Sequence, residues 1–285
     1  MQPARPLRPA RPLRPARPLR PALLDPTGHL EREGSLGSVQ PEFAAVVAAA
    51  RERVAEAYGA RLHSAYLYGS VPRGTARPGR SDLDLLLALH HAPAHEDRDT
   101  AEVLARGLDE DFAVIDGVGI LLYGRGTLLS EQERYDTGWF LACLCTPLLG
   151  ADLAEHLPRY RPDSRLARET NGDLAVLLPR WRERVRAAAT PAEYRKLSRH
   201  LSRHLVRTGF TLVMPRWGGW TSDLAESAEI FGRYYPERAA QMRAAAAVAL
   251  DPVSDPAVLH AYTEDLGPWL AAEYTARHGT KPPRT

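Results

Sequence analysis

The chain has 285 residues, of which 44% are hydrophobic and 25% charged, so it is neither a single small disulfide-stapled module nor a wholly disordered chain. The length predicts two folded domains. The formal net charge is +2, but the first 24 residues carry six arginines and no acid, so the remainder is mildly acidic at −4, which argues against a nucleic-acid partner bound through a dominant basic face.

The N-terminal region repeats the unit Ala-Arg-Pro-Leu-Arg-Pro from about Ala4 to Pro21. Proline at every third position removes backbone donors and blocks helix formation. We therefore predict a disordered basic tail and linker over residues 1–39. A basic arm that binds an anionic surface is the functional alternative.

Cysteine usage and hydropathy indicate the compartment. Cys143 and Cys145 are the two cysteines, too few for a disulfide framework or a four-ligand zinc site. No run of about 18 apolar residues predicts a membrane span, and the N-terminus lacks the apolar stretch of a secretory signal. We expect a cytoplasmic protein with no membrane partner, and the oligomeric state stays open.

Residues 40–130 alternate helix and strand patterns. The predicted elements are a helix at Pro41–Tyr58, strands at Leu62–Tyr68 and Leu83–Leu89, a helix at Asp97–Leu108, and one or two strands within Phe112–Tyr123, broken at Asp116-Gly117. The second strand is almost all leucine, which is typical of a strand buried on both faces.

After Ser130 the strand pattern disappears. Helices are predicted at Glu131–Leu149, Leu166–Ala188, Ala192–Arg207, Ser222–Phe231, Glu237–Ala249 and Ala257–Ala276. The expected fold class is α+β: a mixed-sheet domain over residues 40–130, followed by an all-α helical-bundle domain over residues 131–278.

The segment with the clearest chemistry runs from Leu67 to Leu87. A predicted strand leads into Gly69-Ser70, where the missing Cβ lets a phosphate approach the backbone and the serine hydroxyl can bond its oxygens. Asp82 and Asp84 follow at i and i+2 on the next strand, so their carboxylates project from one face, roughly 6 to 7 Å apart at the backbone. Such a pair can hold divalent cations that support phosphoryl or nucleotidyl transfer.

Gly-Ser, a spacer of nine to thirteen residues and Asp-x-Asp in an apolar strand resemble the signature of the DNA polymerase β-like nucleotidyltransferase superfamily. Tyr-Gly-Ser-x-x-x-Gly with Ser-Asp-Leu-Asp-Leu-Leu resembles, more narrowly, the antibiotic adenylyltransferases and the minimal nucleotidyltransferases. The helical half, including Gly150-Ala-Asp-Leu and the region from Arg203 to Asp223, is similar to the C-terminal domain of aminoglycoside adenylyltransferases that modify streptomycin and spectinomycin.

The resemblance implies a nucleotidyltransferase that moves AMP from ATP to a hydroxyl of a small-molecule acceptor such as an aminoglycoside. Asp82 and Asp84 would bind two Mg²⁺ ions. The nucleotide-binding residues it implies are Gly69, Ser70, Arg73, Ser81, Arg203 and Arg216. A macromolecular acceptor, protein or RNA as in antitoxin systems, and a nucleotide-binding pseudoenzyme are the alternatives.

The family also supplies a third acid, and here its position is ambiguous. The expected place, counted back from Tyr123, falls on Gly117 or Gly119, which cannot ligate a metal. Asp116 would point to the opposite face of a regular strand, but a bulge could turn it inward as a ligand and as the base for the acceptor hydroxyl. Asp111 or Glu110, or a degraded site, are the other options.

Three further patterns carry weaker signals. Arg73 and Arg80 flank the predicted phosphate-binding turn at Gly69-Ser70 and could neutralise triphosphate charge. Trp217 and Trp220 could stack a sugar or base, or pack in the core. Arg195 to His200 and Arg199 to His204 resemble the Arg-x₄-His pattern of HEPN ribonucleases, although an arginine-rich chain is expected to match that pattern by chance.

Overall fold

The computed structural model of the protein describes residues 23–283. A four-stranded mixed sheet with its helices occupies the N-terminal part, and helices make up most of the rest, so the α+β prediction is confirmed. The predicted Ala4 to Pro21 repeat lies outside the described residues.

From residue 23 to Gly150, the structure describes four strands and four α-helices. Their bounds are α1 Pro41–Tyr58, β1 Leu62–Tyr68, β2 Leu83–Leu89, α2 His95–Asp111, β3 Val118–Gly124, α3 Arg125–Leu128, α4 Thr137–Leu144 and β4 Thr146–Gly150. The strand order is β3-β2-β1-β4, with β2 parallel to β3 and antiparallel to β1, and β4 antiparallel to β1.

Between Gly150 and residue 283, the structure describes seven α-helices. They are α5 Ser164–Asn171, α6 Leu174–Ala187, α7 Pro191–Trp217, α8 Leu224–Tyr234, α9 Ala239–Leu250, α10 Pro256–Ala261 and α11 Gly267–His278, with a π-helical turn at Tyr262–Leu266. The longest, α7, begins with a Thr190–Glu193 capping box and ends at Gly218 in the left-handed conformation. It continues ten residues beyond the Arg207 end that the sequence predicted.

The prediction of a helix over Glu131–Leu149 is wrong at its end. The chain forms the short helix α4 and then strand β4, which extends the sheet at the outer side of β1. Pro147 within the run is compatible with such an edge strand, because an edge strand has backbone groups without a partner in the sheet. The sheet therefore takes one strand from beyond residue 130, where the first domain was predicted to end.

Strand β2 is buried on both faces, as its leucine content predicted. Leu85 and Leu87 pack with α1 and α2 in one core cluster, while Leu86 packs on the other face with α3 and α4. By the two-residue period of a strand, Asp84 shares the face of Leu86. The helical half packs around α7 in a third cluster.

Residues 23–39, which we call the strap, differ from the disordered linker that the sequence predicted. Leu30 is buried in the core of the helical half, and its N–H donates to the carbonyl of Tyr160 at 2.7 Å. Arg32 pairs with Asp152 at 2.7 Å. The strap is thus anchored by apolar burial and by backbone hydrogen bonds, neither of which a proline-and-arginine repeat could supply.

Candidate active site

The aspartate pair lies at the start of β2, where the sheet faces the helical half. Asp84 pairs in register with Tyr68 at the end of β1 and with Gly119 on β3. Asp82 precedes the strand by one residue and is near Gly117, whose Cβ, if present, would lie 3.7 Å from its Oδ1. The two aspartates therefore lie at one end of the sheet, and the charge of Asp82 acts on Asp84.

Two glycines leave room around the Asp84 carboxylate. Gly69 adopts φ +81°, and a Cβ there would collide with Oδ2 of Asp84. A Cβ on Gly119 would come to 3.0 Å from Oδ1. Each oxygen of Asp84 thus faces a position where a side chain would crowd it, and the sequence leaves both positions empty.

Neither carboxylate has a hydrogen bond or salt bridge within residues 23–283. Burial, and then the charge of Asp82, raises the pKa of Asp84 from 3.8 to about 6. The pKa of Asp82 is also raised, mainly by burial, with Arg199 and Arg203 opposing the shift. A partly buried acid pair without partners is costly unless a cation joins it.

The turn after β1 is the predicted phosphate cradle. The carbonyl of Ser70 accepts from the Thr75 N–H at 3.1 Å, and the Val71 carbonyl accepts from Gly74 N–H at 3.1 Å, which closes the turn. Arg73 projects from it with Nε buried and without a hydrogen bond inside the described residues. We call residues 69–75 the phosphate turn.

Ser81 and Arg80 lie in the loop that leads to Asp82. The Ser81 hydroxyl accepts from the backbone N–H of Arg77 at 2.9 Å, so this hydroxyl closes a loop. The Arg80 side chain is exposed. Ser81 is one of the predicted nucleotide-binding residues, and its contact in the structure stabilises the loop that leads to the aspartates.

Helix α7 presents three arginines toward the carboxylates. Arg199, Arg203 and Arg207 are spaced by four residues and so lie along one helix face. The charges of Arg203 and Arg207 act on Asp84, and those of Arg199 and Arg203 act on Asp82. The prediction of Arg203 as a site residue missed the other two, although the four-residue spacing was visible in the sequence.

These arginines have no anionic partner within hydrogen-bonding distance among residues 23–283. Burial, and then the charge of Arg199, lowers the pKa of Arg203. Burial of its guanidinium, and then the charge of Arg203, lowers the pKa of Arg207, although the residue as a whole is exposed. Arg73 completes a set of four guanidiniums around two carboxylates, a field that suits a polyanion.

Arg216 is not brought to this cleft. It is exposed near the end of α7, with its guanidinium 4.4 Å from the ring centre of Tyr234. Thirteen residues separate it from Arg203, about 20 Å along the helix. Its contact with Tyr234 is the role that the structure shows.

Asp116, the predicted third acid, is at the surface near Asp82. Asp116 is exposed, its N–H donates to the Ser81 carbonyl at 3.1 Å, and its charge contributes to the raised pKa of Asp82. The strand position opposite Asp84 is Gly119, as the sequence count suggested. No group of three or more His, Cys, Asp and Glu residues within 23–283 is arranged to hold a metal, so Asp116 is not gathered with the pair.

The other acids considered from the sequence lie elsewhere. Asp111 pairs with Arg53 at 2.6 Å on the surface, and Glu110 is exposed at the end of α2. Neither has a contact with the aspartate pair.

The aromatic loop has a packing role. Trp217 and Trp220 are buried, and Trp220 packs edge-on against Trp139 with ring centres 4.5 Å apart. These rings fill the core between α4 and α7, and so the stacking platform considered from the sequence is not exposed.

The side chains of the Arg199–His204 pair on α7 do not lie together. His204 lies against Trp181, with ring centres 5.2 Å apart, and burial lowers its pKa to about 4. Arg199 acts on Asp82 on a different side of the helix. The two members of this pair face different surroundings, which does not favour the ribonuclease interpretation.

Comparison with known proteins agrees with this geometry. Residues 47–117, which hold the phosphate turn and both aspartates, match the family model of the nucleotidyltransferase domain. No curated protein matches the chain.

Among solved structures, the chain is similar to the spectinomycin adenyltransferase AAD(9) from Enterococcus faecialis, crystallised with ATP and spectinomycin. The TM-score is 0.51 at 13% identity, and the match covers 80% of this chain and 98% of that one. At this identity the likeness shows a shared fold. It extends well past the matched domain into the helices.

Proposed function

We propose that this chain, whose residues 47–117 match the family model of the nucleotidyltransferase domain, transfers AMP from ATP to a hydroxyl of a small molecule. The observation that carries the proposal is the pair of unpaired carboxylates, Asp82 and Asp84, opposite four arginines. Carboxylates and guanidiniums that face each other without pairing can bind a ligand that carries both positive and negative charge. A metal-bound triphosphate is such a ligand.

The residues present fit magnesium. Carboxylate oxygens are its preferred protein ligands, and it is commonly held by one or two carboxylates together with substrate phosphates. Gly69 and Gly119 let the Asp84 carboxylate lie against the backbone, and it has no hydrogen bond or salt bridge within residues 23–283, so its oxygens are available to a cation. Asp82 and Asp84 would hold the two predicted ions together with substrate phosphate oxygens. When bound, magnesium neutralises phosphate charge and polarises the reacting phosphate.

The chain's own residues then have separate tasks. The phosphate turn binds phosphate oxygens through Ser70 and its backbone, and Arg73 adds charge from the same turn. Arg203 and Arg207 approach from α7 and neutralise the charge that passes to pyrophosphate as it leaves. Holding the triphosphate at both ends orients the α-phosphate for attack in line with the leaving group.

The acceptor hydroxyl must lose its proton as its oxygen bonds to the α-phosphorus and the bond to the leaving pyrophosphate breaks. For this proton we propose Asp116 as the acceptor, since it is exposed beside Asp82 and free of salt bridges among the described residues. A base need not be a metal ligand, so this role does not depend on a three-carboxylate cluster.

The likeness to AAD(9) supports one class of acceptor. AAD(9) was crystallised with spectinomycin, and we propose hydroxyl-rich compounds of that kind, aminoglycosides included, as the first candidates. Within residues 23–283 no helix is both long and apolar enough to cross a bilayer. We propose a cytoplasmic location, where ATP is abundant and where the buried free thiols of Cys143 and Cys145 stay reduced.

The test is incubation with ATP labelled at the α-phosphate, Mg²⁺ and a panel of aminoglycosides, proteins and RNAs. The proposal expects label on a small molecule and stoichiometric pyrophosphate. Label on protein or RNA would favour the macromolecular alternative, and ATP binding without any transfer would indicate a pseudoenzyme.

A further inference from the structure

The strap reaches the phosphate turn directly. The N–H of Ser35 donates to the carbonyl of Pro72 at 2.9 Å, and Gly34, at φ +88°, passes so close that a Cβ would lie 2.8 Å from that carbonyl oxygen. One residue earlier, the Glu33 N–H donates to the carbonyl of Cys143 at 2.7 Å. The strap therefore fixes the backbone of Glu33 between the core cluster of the helical half, which includes Cys143, and the phosphate turn.

The carboxylate of Glu33 bridges the same two regions. Its Oε2 accepts from the Ser222 hydroxyl at 2.5 Å and lies 3.6 Å from the guanidinium of Arg73. The Ser222 hydroxyl in turn accepts from the Trp220 indole N–H at 3.2 Å, and Trp220 is buried. Glu33 is thus held firmly on the helical side, with Arg73 as the more loosely held member.

Arg73 needs such a counter-ion. Its charge lowers the pKa of Asp84 and also that of Arg207, so Arg73 lies near both. Two guanidiniums close together repel each other, and the side chain of Arg73 is largely buried, with 26% exposed. Glu33 supplies the negative charge that offsets this repulsion from the side away from the aspartates.

We propose that Glu33 is a positioning residue for nucleotide binding, which holds Arg73 toward the phosphate site. The inference rests on the proposed function, because it gives the Arg73 contact its purpose. The opposite effect would follow if Glu33 competed with phosphate for Arg73. The firm Ser222 contact and the 3.6 Å spacing favour positioning, since the Arg73 donors are not hydrogen-bonded to Glu33 and stay available.

The experiment measures binding of ATP with Mg²⁺, and of inorganic tripolyphosphate, to the full chain and to Glu33→Gln, Arg73→Ala and the double variant. We expect Glu33→Gln to raise the Kd for both ligands about five- to twentyfold. Arg73→Ala should raise it at least as much. The double variant should match Arg73→Ala alone, because Glu33 acts through Arg73.

Glu31→Gln is the matched control, since it makes the same charge change two residues away on an exposed side chain. It should leave Kd unchanged. Ser222→Ala keeps the charge of Glu33 but removes its anchor, so a smaller loss of about two- to fivefold is expected even if Glu33→Gln folds poorly.

Three results would overturn the inference. Tighter binding by Glu33→Gln would show competition, unchanged binding would show that Arg73 is held by other contacts, and additive losses in the double variant would show a general structural role. Failure of the unmodified chain to bind ATP would instead overturn the proposed function, so the two failures are distinguishable.

Discussion

The two walls of the cleft differ in how they carry charge. The sheet wall holds the phosphate turn and two carboxylates within one stretch from Gly69 to Asp84, while the helix wall holds arginines at every fourth residue of α7. Across the cleft, these opposite charges influence each other's pKa values yet form no salt bridge within the described residues.

The two walls hold opposite charges near each other without pairing them. Direct pairing of Asp84 with Arg203 would relieve the burial of both groups, and buried ions are normally paired for that reason. Keeping them apart costs stability in the free protein. A ligand that is cationic toward the sheet and anionic toward α7 would recover this cost on binding.

The largest effect is expected when the charge of the sheet wall is removed. Asp82→Asn and Asp84→Asn should each reduce transfer by at least about 10³-fold, because an amide cannot replace a carboxylate as a magnesium ligand. Asp84→Asn should also stabilise the metal-free protein by about 1–2 kcal/mol, since it removes a buried charge.

Turnover with labelled ATP and thermal unfolding in EDTA measure the two effects. Asp251→Asn, at an exposed position away from the cleft, serves as the control. Normal turnover by either variant would contradict the metal site.

Asp116 tests whether the sheet wall also supplies the base. Asp116→Ala should lower kcat by about 10²-fold or more, as is typical for loss of a general base, with little change in ATP binding. Asp109→Ala is the matched control, because Asp109 is also exposed and its charge also raises the pKa of Asp82. Steady-state kinetics in which both variants behave alike would remove Asp116 from the mechanism.

The helix wall should control binding more than stability. Arg203→Ala should weaken ATP binding by about tenfold, in keeping with a charge-assisted hydrogen bond worth roughly 1.5–3 kcal/mol. Its melting temperature should stay the same or rise, because an unpaired, half-buried charge is removed. Arg195→Ala, exposed on the same helix, should change neither quantity. A large loss of stability in Arg203→Ala would mean that the arginine supports the fold instead.

The smallest expected effect concerns pH. The pKa of Asp84 is about 6 in the folded, metal-free protein and 3.8 in the unfolded chain, so the native state binds the extra proton between these values. Through this group, the free energy of unfolding should fall as pH rises from about 4 to 6. Over the same interval, Mg²⁺-dependent ATP binding should strengthen. Asp84→Asn should flatten the pH dependence of both quantities. If the free energy of unfolding of Asp84→Asn in EDTA falls with pH at the same slope as before, groups other than Asp84 cause the dependence.

The candidate residues of the sheet wall could be chosen from the sequence because their chemistry is local. Gly69, Ser70, Asp82 and Asp84 lie within one short segment whose strand period sets the direction of each side chain. The helix wall was harder, since Arg199 and Arg207 gain meaning only when α7 packs against the sheet. Arginine is so frequent in this chain that the spacing alone did not distinguish them.

Other differences also have tertiary causes. Strand β4 is short, and its hydrogen bonds to β1 outweigh the helical pattern of the neighbouring residues. The strap lacks strong periodicity, yet burial of Leu30 and the bonds of Glu33 order it. The family resemblance implied that Arg216 binds the nucleotide, but its distance along α7 separates it from the aspartates.

Both walls should bind one metal-bound nucleotide, and titration calorimetry with ATP measures this directly. The unmodified chain should bind ATP at least tenfold more tightly in Mg²⁺ than in EDTA. Asp84→Asn should lose that difference, while Arg203→Ala should weaken binding in both conditions and keep it. Equal affinity in Mg²⁺ and EDTA, unaffected by either substitution, would contradict the claim.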